Sequence, residues 1–147
     1  MPSCDGDDPA IPDDDVLYRR LSMTNPGQYA TDTITGESRP SSAAFLPKTG
    51  EDGLSVFRHA RLAAAGLDAS AVALEAKHSV FGLRTDEVRS LKLGVRDDPW
   101  PKGIPGADHP RNGAHALIVG WDAMSRGEMK RQARELAKLA AARPVRP

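Results

Sequence analysis

Residues Ala114–Trp121 have the sequence AHALIVGW, which is the strongest strand signal in the chain. Its centre is a short apolar run of the length that buried strands have. A helix signal follows it, since Ser125 and Glu128 in SRGE have the spacing of a capping box. One continuous apolar stripe then runs along the helix, formed by Met129, Ala133, Leu136, Ala137 and Ala140. This pair predicts an α+β domain with an amphipathic C-terminal helix packed on a small, mainly antiparallel sheet.

The rest of the chain adds short elements to this pair. Strands are predicted at Val16–Leu21, Ser42–Leu46, Leu54–Phe57 and His78–Arg84, and short helices at Arg58–Ala65, Ala69–Lys77 and Thr85–Leu91. Long loops are predicted for residues 22–40 and 98–113, which are rich in turn-forming residues. In the first strand, alternation places Arg19 on the face of the strand's leucines and Arg20 on the opposite face.

The charge pattern divides the chain into three segments. Residues 1–15 contain six aspartates and no basic residue, so they are predicted to be a disordered acidic leader. Residues 16–142 are predicted to form a single domain, and residues 143–147 a flexible tail. Cys4 has no second cysteine to pair with, which makes a reducing cytoplasm the expected location. The acidic start is the reverse of a signal peptide, and no apolar run approaches the roughly 20 residues of a membrane span.

Residues 46–50 spell LPKTG, the recognition string of sortases. A sorting signal works near a C-terminus and precedes an apolar span, and no such span follows this string. We therefore interpret it as part of a turn, in which Pro47 cannot donate to a ladder and Gly53 supplies a positive φ.

Two arginines in the first predicted strand are candidate binding or catalytic residues. A buried guanidinium at Arg19 needs a carboxylate, phosphate or carbonyl partner, because burying an unpaired charge is costly. A structural ion pair, a side chain that reaches water, and recognition of an anion all fit Arg19 and Arg20 at this stage.

Serines and histidines provide further candidates. Ser41 and Ser42 precede small residues, but no G-x-S-x-G surrounds them, so no nucleophile elbow is predicted. His115 begins the strongest strand and is either a catalytic candidate or a histidine bonded to a neighbouring carbonyl. As an alternative, His115 forms a metal site for hydrolysis together with Asp108 and His109, although the spacing of these residues matches no helical metal motif.

Trp100 lies in the proline-flanked stretch DDPWPKGIPG, where it either marks a contact surface or covers the sheet edge. Nucleic-acid binding by base stacking is not expected, because aromatic residues are few and are not interleaved with basic ones.

The order of short phrases along the chain resembles a group of short uncharacterised bacterial proteins. The phrases are LYRRL at 17–21, RPSSAAF at 39–45, LSVF at 54–57, GVRDDP at 94–99 and HPRNGAHALIVG at 109–120. This resemblance covers residues 15 to 140 and implies a bacterial cytoplasmic protein; it brings no activity, cofactor or catalytic residue.

The phrase LYR is also similar to the first strand of ADP-ribosyltransferase-like folds. That resemblance implies that Arg19 or Arg20 contacts the phosphates of NAD, and that Ser41 or Ser42 contacts its nicotinamide-ribose side. The chain departs from the pattern because it has no E-x-E or Q-x-E motif, and His115 stands where a carboxylate is expected.

Taken together, the expected function is that of a binding or accessory domain which acts through a protein partner, without enzymatic activity or a cofactor. The first alternative is an NAD-binding, ADP-ribosyltransferase-like enzyme that uses Arg19 and Ser42. The second alternative is a metal-dependent hydrolase. The oligomeric state stays open, because the apolar stripe of the last helix suits a core or a dimer equally well.

Overall fold

The structure is a computed structural model and describes residues 4–22, 26–31, 33–48, 50–73, 78–99 and 109–146. Its strands are β1 Val16–Ser22, β2 Tyr29–Thr31, β3 Ser38–Pro40, β4 Leu54–Arg58, β5 His78–Arg84, β6 Gly94–Asp97, β7 His115–Val119 and β8 Pro144–Arg146. Its α-helices are α1 His59–Ala64, α2 Thr85–Ser90 and α3 Arg126–Ala141. Short 3-10 helices lie between them, among them Ser42–Phe45, Ala69–Val72 and Pro110–Ala114.

Within the described residues, six strands form one antiparallel sheet in the order β6-β7-β4-β1-β5-β8, and β2 and β3 form a separate hairpin. The fold class predicted from the sequence, α+β with a mainly antiparallel sheet and a C-terminal helix, is therefore confirmed. Ser125 caps α3 as predicted, with its Oγ accepting a hydrogen bond from the Glu128 amide at 3.2 Å.

The sheet is covered on both faces. The larger core contains α3 and one face of the central strands; its members include Leu17, Leu21, Val56, Ile118, Leu136 and Ala140. The smaller core lies under α1 and two 3-10 helices; its members include Tyr18, Phe57, Leu62, Val72 and Ala114. Successive residues of β1 and β4 enter opposite cores, which is the alternation predicted for β1.

The acidic leader differs from the sequence-based expectation of disorder. Asp7, Ile11 and Asp15 are buried. The Asp15 carboxylate accepts a hydrogen bond from Nε of Arg58 at 2.8 Å and another from the Ala60 amide at 3.0 Å. These partners lie more than 40 residues away along the chain. The composition of the leader does not reveal such distant partners, and its polarity alone predicts disorder.

The leader also joins β6. The Asp8 amide donates to the carbonyl of Val95 at 2.8 Å, and the Val95 amide donates to Oδ1 of Asp7 at 2.8 Å. Arg89 adds an ion pair to Asp7 and another to Asp13. Residues 4–15 are therefore attached to the domain through backbone and charged contacts.

Three further expectations differ from the structure. The predicted strand Ser42–Leu46 is a 3-10 helix over Ser42–Phe45 that buries Phe45 in the larger core, and it forms no ladder with β4. The expected flexible tail contains β8, which pairs with β5. Gly53 has no positive φ; a Cβ there would lie 2.5 Å from the carbonyl oxygen of Ile118, so close packing requires this glycine.

Leu46, Pro47, Lys48 and Gly50 of the LPKTG stretch lie outside the helices and strands, and Gly50 has a φ of 86°, as a turn requires; Thr49 lies outside the described residues. Along the parts of the chain that the structure describes, no helix has both the length and the apolar composition needed to cross a membrane.

We predict that Asp15→Ala lowers the free energy of unfolding by roughly 3 kcal/mol, because it leaves the buried guanidinium of Arg58 short of one carboxylate. Urea denaturation measures this change. Asp14→Ala is the matched control: Asp14 is an exposed leader aspartate, and its loss is expected to change the free energy of unfolding by less than about 0.5 kcal/mol. Equal, small effects of the two substitutions would show that the leader does not anchor the domain.

Candidate functional site

The pairing of β1 with β4 is incomplete. β1 pairs with β5 along its whole length, from Val16 opposite Arg84 to Ser22 opposite His78. Among the described residues, β1 and β4 are in register at two positions, Leu17 with Arg58 and Tyr18 with Phe57. Beyond Tyr18 a cleft of about 470 Å³ opens between the strands; we call it the β1–β4 cleft, and its lining includes Arg19, Arg20, Lys48, Glu51, Leu54 and Ser55.

The Arg19 side chain bridges this cleft. Its Nε and Nη2 donate to the Ala44 carbonyl at 3.1 and 2.9 Å, and its Nη1 donates to the Ser55 carbonyl at 3.0 Å. Burial, and to a lesser extent the charge of Arg20, lower the pKa of Arg19 to about 10, whereas Glu51 acts in the opposite direction. Arg19 therefore remains a cation at neutral pH, held by carbonyl oxygens.

Arg20 points to the opposite face of the sheet. Its Nη1 donates to the Val72 carbonyl at 3.1 Å, and its guanidinium carbon lies 5.4 Å from the centroid of the Phe57 ring, within cation–π range. Burial lowers the pKa of Arg20, and the charge of Arg111 adds to that effect. Both residues thus line the β1–β4 cleft, with their guanidinium groups on opposite faces of the sheet but close enough for the charge of Arg20 to act on Arg19.

Three other arginines, one buried and two partly buried, have carboxylate partners. Arg58 pairs with Asp15, Arg89 with Asp7, and Arg143 with Glu87. In contrast, no carboxylate of the described residues forms an ion pair with Arg19 or Arg20. The two cleft arginines therefore donate their hydrogen bonds to carbonyl oxygens, and neither forms an ion pair with a described carboxylate.

A serine, a histidine and an aspartate converge beside this cleft. Nε2 of His115 lies 3.1 Å from Oγ of Ser55. Nδ1 of the same ring lies 2.8 Å from the carbonyl oxygen of Asp98 and 3.2 Å from its Oδ2. The ring is buried and packs edge-on against Phe57, with 5.4 Å between ring centroids. β4, β7 and the segment after β6 each supply one member of this group.

Burial lowers the pKa of His115, whereas its hydrogen bond to the Asp98 carbonyl and the negative charge of Asp98 partly offset that effect; the charge of Arg20 lowers the pKa further. The ring is therefore neutral at pH 7. Carbonyl and carboxylate oxygens accept hydrogen bonds, so the proton of the neutral ring lies on Nδ1. Nε2 then carries the lone pair that faces Ser55.

The predicted site residues do not all meet. Ser42 is exposed and lines a separate cleft of about 420 Å³, where its neighbours include Arg39, Arg134 and Lys138. Oγ of Ser41 donates to the Gly27 carbonyl at 2.7 Å, which anchors the loop before the 3-10 helix. Arg19, Ser42 and His115 therefore do not line one cleft.

The candidates of the loop over residues 98–113 fall partly outside the described residues, as Trp100 and Asp108 do. His109 is exposed, and its Nδ1 accepts a hydrogen bond from the Arg111 amide at 3.1 Å, which caps a 3-10 helix. No group of three or more metal-ligating side chains is present among the described residues.

Ser55 is the functional candidate that sequence analysis missed. The stretch LSVF predicts a strand, and the one sequence feature that indicates a functional residue there is a serine among apolar residues. Ser55 and His115 are 60 residues apart, and they meet because β4 pairs with β7. Another cleft, about 650 Å³ in volume, lies elsewhere and is lined by several carboxylates, including Asp5, Asp52 and Asp122.

Comparison with protein-family models, with curated proteins and with solved structures found no match to this chain. The geometry of the site is thus the basis for the function proposed below.

We predict that His115 makes the domain less stable in acid. The pKa of its ring is lowered in the folded state, so the unfolded chain binds the proton first as the pH falls through about 6.5. Stability from this group is present above pH 6.5 and is lost below it. Urea midpoints measured between about pH 5 and pH 7.5 are expected to fall more steeply for the wild type than for His115→Gln. Parallel curves would contradict the prediction.

Proposed function

We propose that this domain binds a small anionic molecule, one that carries a phosphate or carboxylate group, in the β1–β4 cleft. The observation that carries the proposal is the pair of cleft arginines, Arg19 and Arg20, whose recorded partners are carbonyl oxygens and an aromatic ring. The positive charges of these two partly buried neighbours oppose each other, and an anion bound in the cleft that both residues line offsets that repulsion.

Guanidinium groups are well suited to binding a phosphate or carboxylate group. Arginine presents several N–H donors in a fixed plane, which match the oxygens of phosphate and carboxylate groups. Lys48 also lines the cleft and adds a third positive side chain. The volume of about 470 Å³ is within the range of small-molecule sites, roughly 300–1,000 Å³. The cleft therefore suits a small ligand better than it suits the flat surface of a protein partner.

An NAD-using enzyme is the second candidate, because Arg19, Ser55 and Glu51 line the same cleft. In this version Ser55 takes the place expected for Ser42, and Glu51 supplies the carboxylate that the sequence lacked in an E-x-E motif. The arginines would bind the pyrophosphate of NAD. The expectation of a protein partner and no cofactor stays a prediction beside these two.

We predict that an anion binding in the cleft raises the melting temperature. The probes are inorganic phosphate, succinate, ADP and NAD, each added to the full chain. A probe at a hundredfold excess over its Kd adds about 2.7 kcal/mol of stability, which corresponds to a rise of about 5–10 °C for a chain of this size. A shift with NAD that exceeds the shift with ADP favours the second candidate.

The matched variants are Arg20→Gln and Arg126→Gln, the latter at an exposed arginine at the start of α3. Arg20→Gln is expected to weaken binding of the responding probe about tenfold to a hundredfold in calorimetric titrations, because a hydrogen bond to a charged group is lost. Arg126→Gln is expected to bind like the wild type. Binding that is equally strong in both variants, or no shift with any probe, would refute the proposal.

A further inference from the structure

The contacts of His115 have the order of a proton relay. Ser55 Oγ lies 3.1 Å from Nε2, and Asp98 oxygens lie 2.8 and 3.2 Å from Nδ1. Because both Asp98 oxygens are acceptors, they fix the proton on Nδ1 and leave Nε2 to accept the hydroxyl proton of Ser55. A hydroxyl within hydrogen-bond reach of such a base, which a third group orients, is the arrangement of an activated nucleophile.

The position of each member fits its task. His115 is buried, which holds its ring in one orientation, whereas Ser55 lines the β1–β4 cleft and is partly exposed. Arg19 fixes the backbone at Ser55, since its Nη1 donates to the Ser55 carbonyl at 3.0 Å. The nucleophile therefore lies on a strand, at the wall of the cleft that the two arginines also line.

We propose that Ser55 is a catalytic nucleophile, that His115 is its general base and that Asp98 is a positioning residue, in the hydrolysis of a small ester that carries a phosphate or carboxylate group. The class of substrate rests on the proposed function, because the anion is bound by Arg19 and Arg20. The class of reaction rests on the Ser55–His115–Asp98 geometry, which is independent of the anion.

The first step is acylation. Oγ of Ser55 attacks the ester carbonyl carbon while its proton passes to Nε2 of His115, and the new C–O bond forms a tetrahedral intermediate. The bond to the alcohol then breaks, and the alcohol oxygen takes the proton from Nε2. The negative charge that develops on the carbonyl oxygen is stabilised by the positive charges of the cleft.

The second step is deacylation by water. A water molecule gives its proton to Nε2 of His115 and attacks the acyl carbon. The bond between that carbon and Oγ of Ser55 breaks, and Oγ takes the proton back. The products are the carboxylic acid and the alcohol, and the enzyme returns to its starting state without an oxidant or a metal.

A fluorophosphonate probe, which phosphonylates activated serines, tests the nucleophile in the full-length chain. We expect one adduct per chain by intact mass, located on Ser55 by peptide mapping. Ser55→Ala is expected to lose the adduct. Ser42→Ala is the matched control, because Ser42 is an exposed serine in another cleft, and it is expected to label like the wild type. Adducts on Ser42 and Ser55 at similar rates would overturn the proposal.

The roles of His115 and Asp98 are tested by rate and pH profile. His115→Gln is expected to slow labelling at least about a hundredfold, the usual contribution of a general base. The charged groups that act on the ring include Asp98, which raises its pKa, and Arg20, which lowers it. The wild-type rate is expected to rise as the ring loses its proton, with a midpoint below pH 6.5, and Asp98→Asn is expected to move that midpoint lower. A pH-independent rate in the wild type, with unchanged melting temperatures, would overturn the relay.

Two chromogenic esters separate this proposal from the proposed function. We expect the wild type to hydrolyse the anionic 4-nitrophenyl hemisuccinate faster than the neutral 4-nitrophenyl acetate, and Arg20→Gln to lose this preference. Anion-induced stabilisation without an adduct on Ser55 would overturn the nucleophile and leave the binding function intact. An adduct on Ser55 together with equal rates for both esters would overturn the anionic substrate class.

Discussion

The guanidinium of Arg19 determines how the two central strands meet. It donates to the Ser55 carbonyl from one side of the β1–β4 cleft and to the Ala44 carbonyl from the other. An arginine side chain thus satisfies backbone acceptors at the point where the strand ladder stops. This one side chain thus ties β1 both to β4 at Ser55 and to the short helix after Ser41.

The arginines of the domain differ in whether the fold supplies them with a carboxylate. The acidic leader provides carboxylates for Arg58 and Arg89, so these cations are neutralised within the fold. The two arginines of the cleft receive no such partner from the described residues and keep their charge available. The proposed anion site is preorganised, because carbonyl oxygens already hold the guanidinium donors in place before a ligand arrives.

The sequence predicted the elements whose signals are local. The strand predicted at Val16–Leu21, the strand at His78–Arg84 and the capped helix α3 each follow from periodicity or from a capping residue within a few positions. The 3-10 helix Ser42–Phe45 was missed because its conformation follows from burying Phe45 and from presenting the Ala44 carbonyl to Arg19. The Ser55–His115 contact depends on which strands become neighbours, and no window of sequence contains that information.

The contacts between the leader and Val95 have a consequence for association between molecules. β6 is the outermost strand at one side of the described sheet, and an outer strand offers unpaired amides and carbonyls to the strands of other copies. Here the outward amide and carbonyl of Val95 are already bonded to Asp7 and Asp8, and a side chain at Gly94 would collide with Asp7. At the opposite side, β8 begins with Pro144, which has no amide to donate. The acidic leader thus covers the β6 edge of the sheet and protects it from pairing with the strands of other copies.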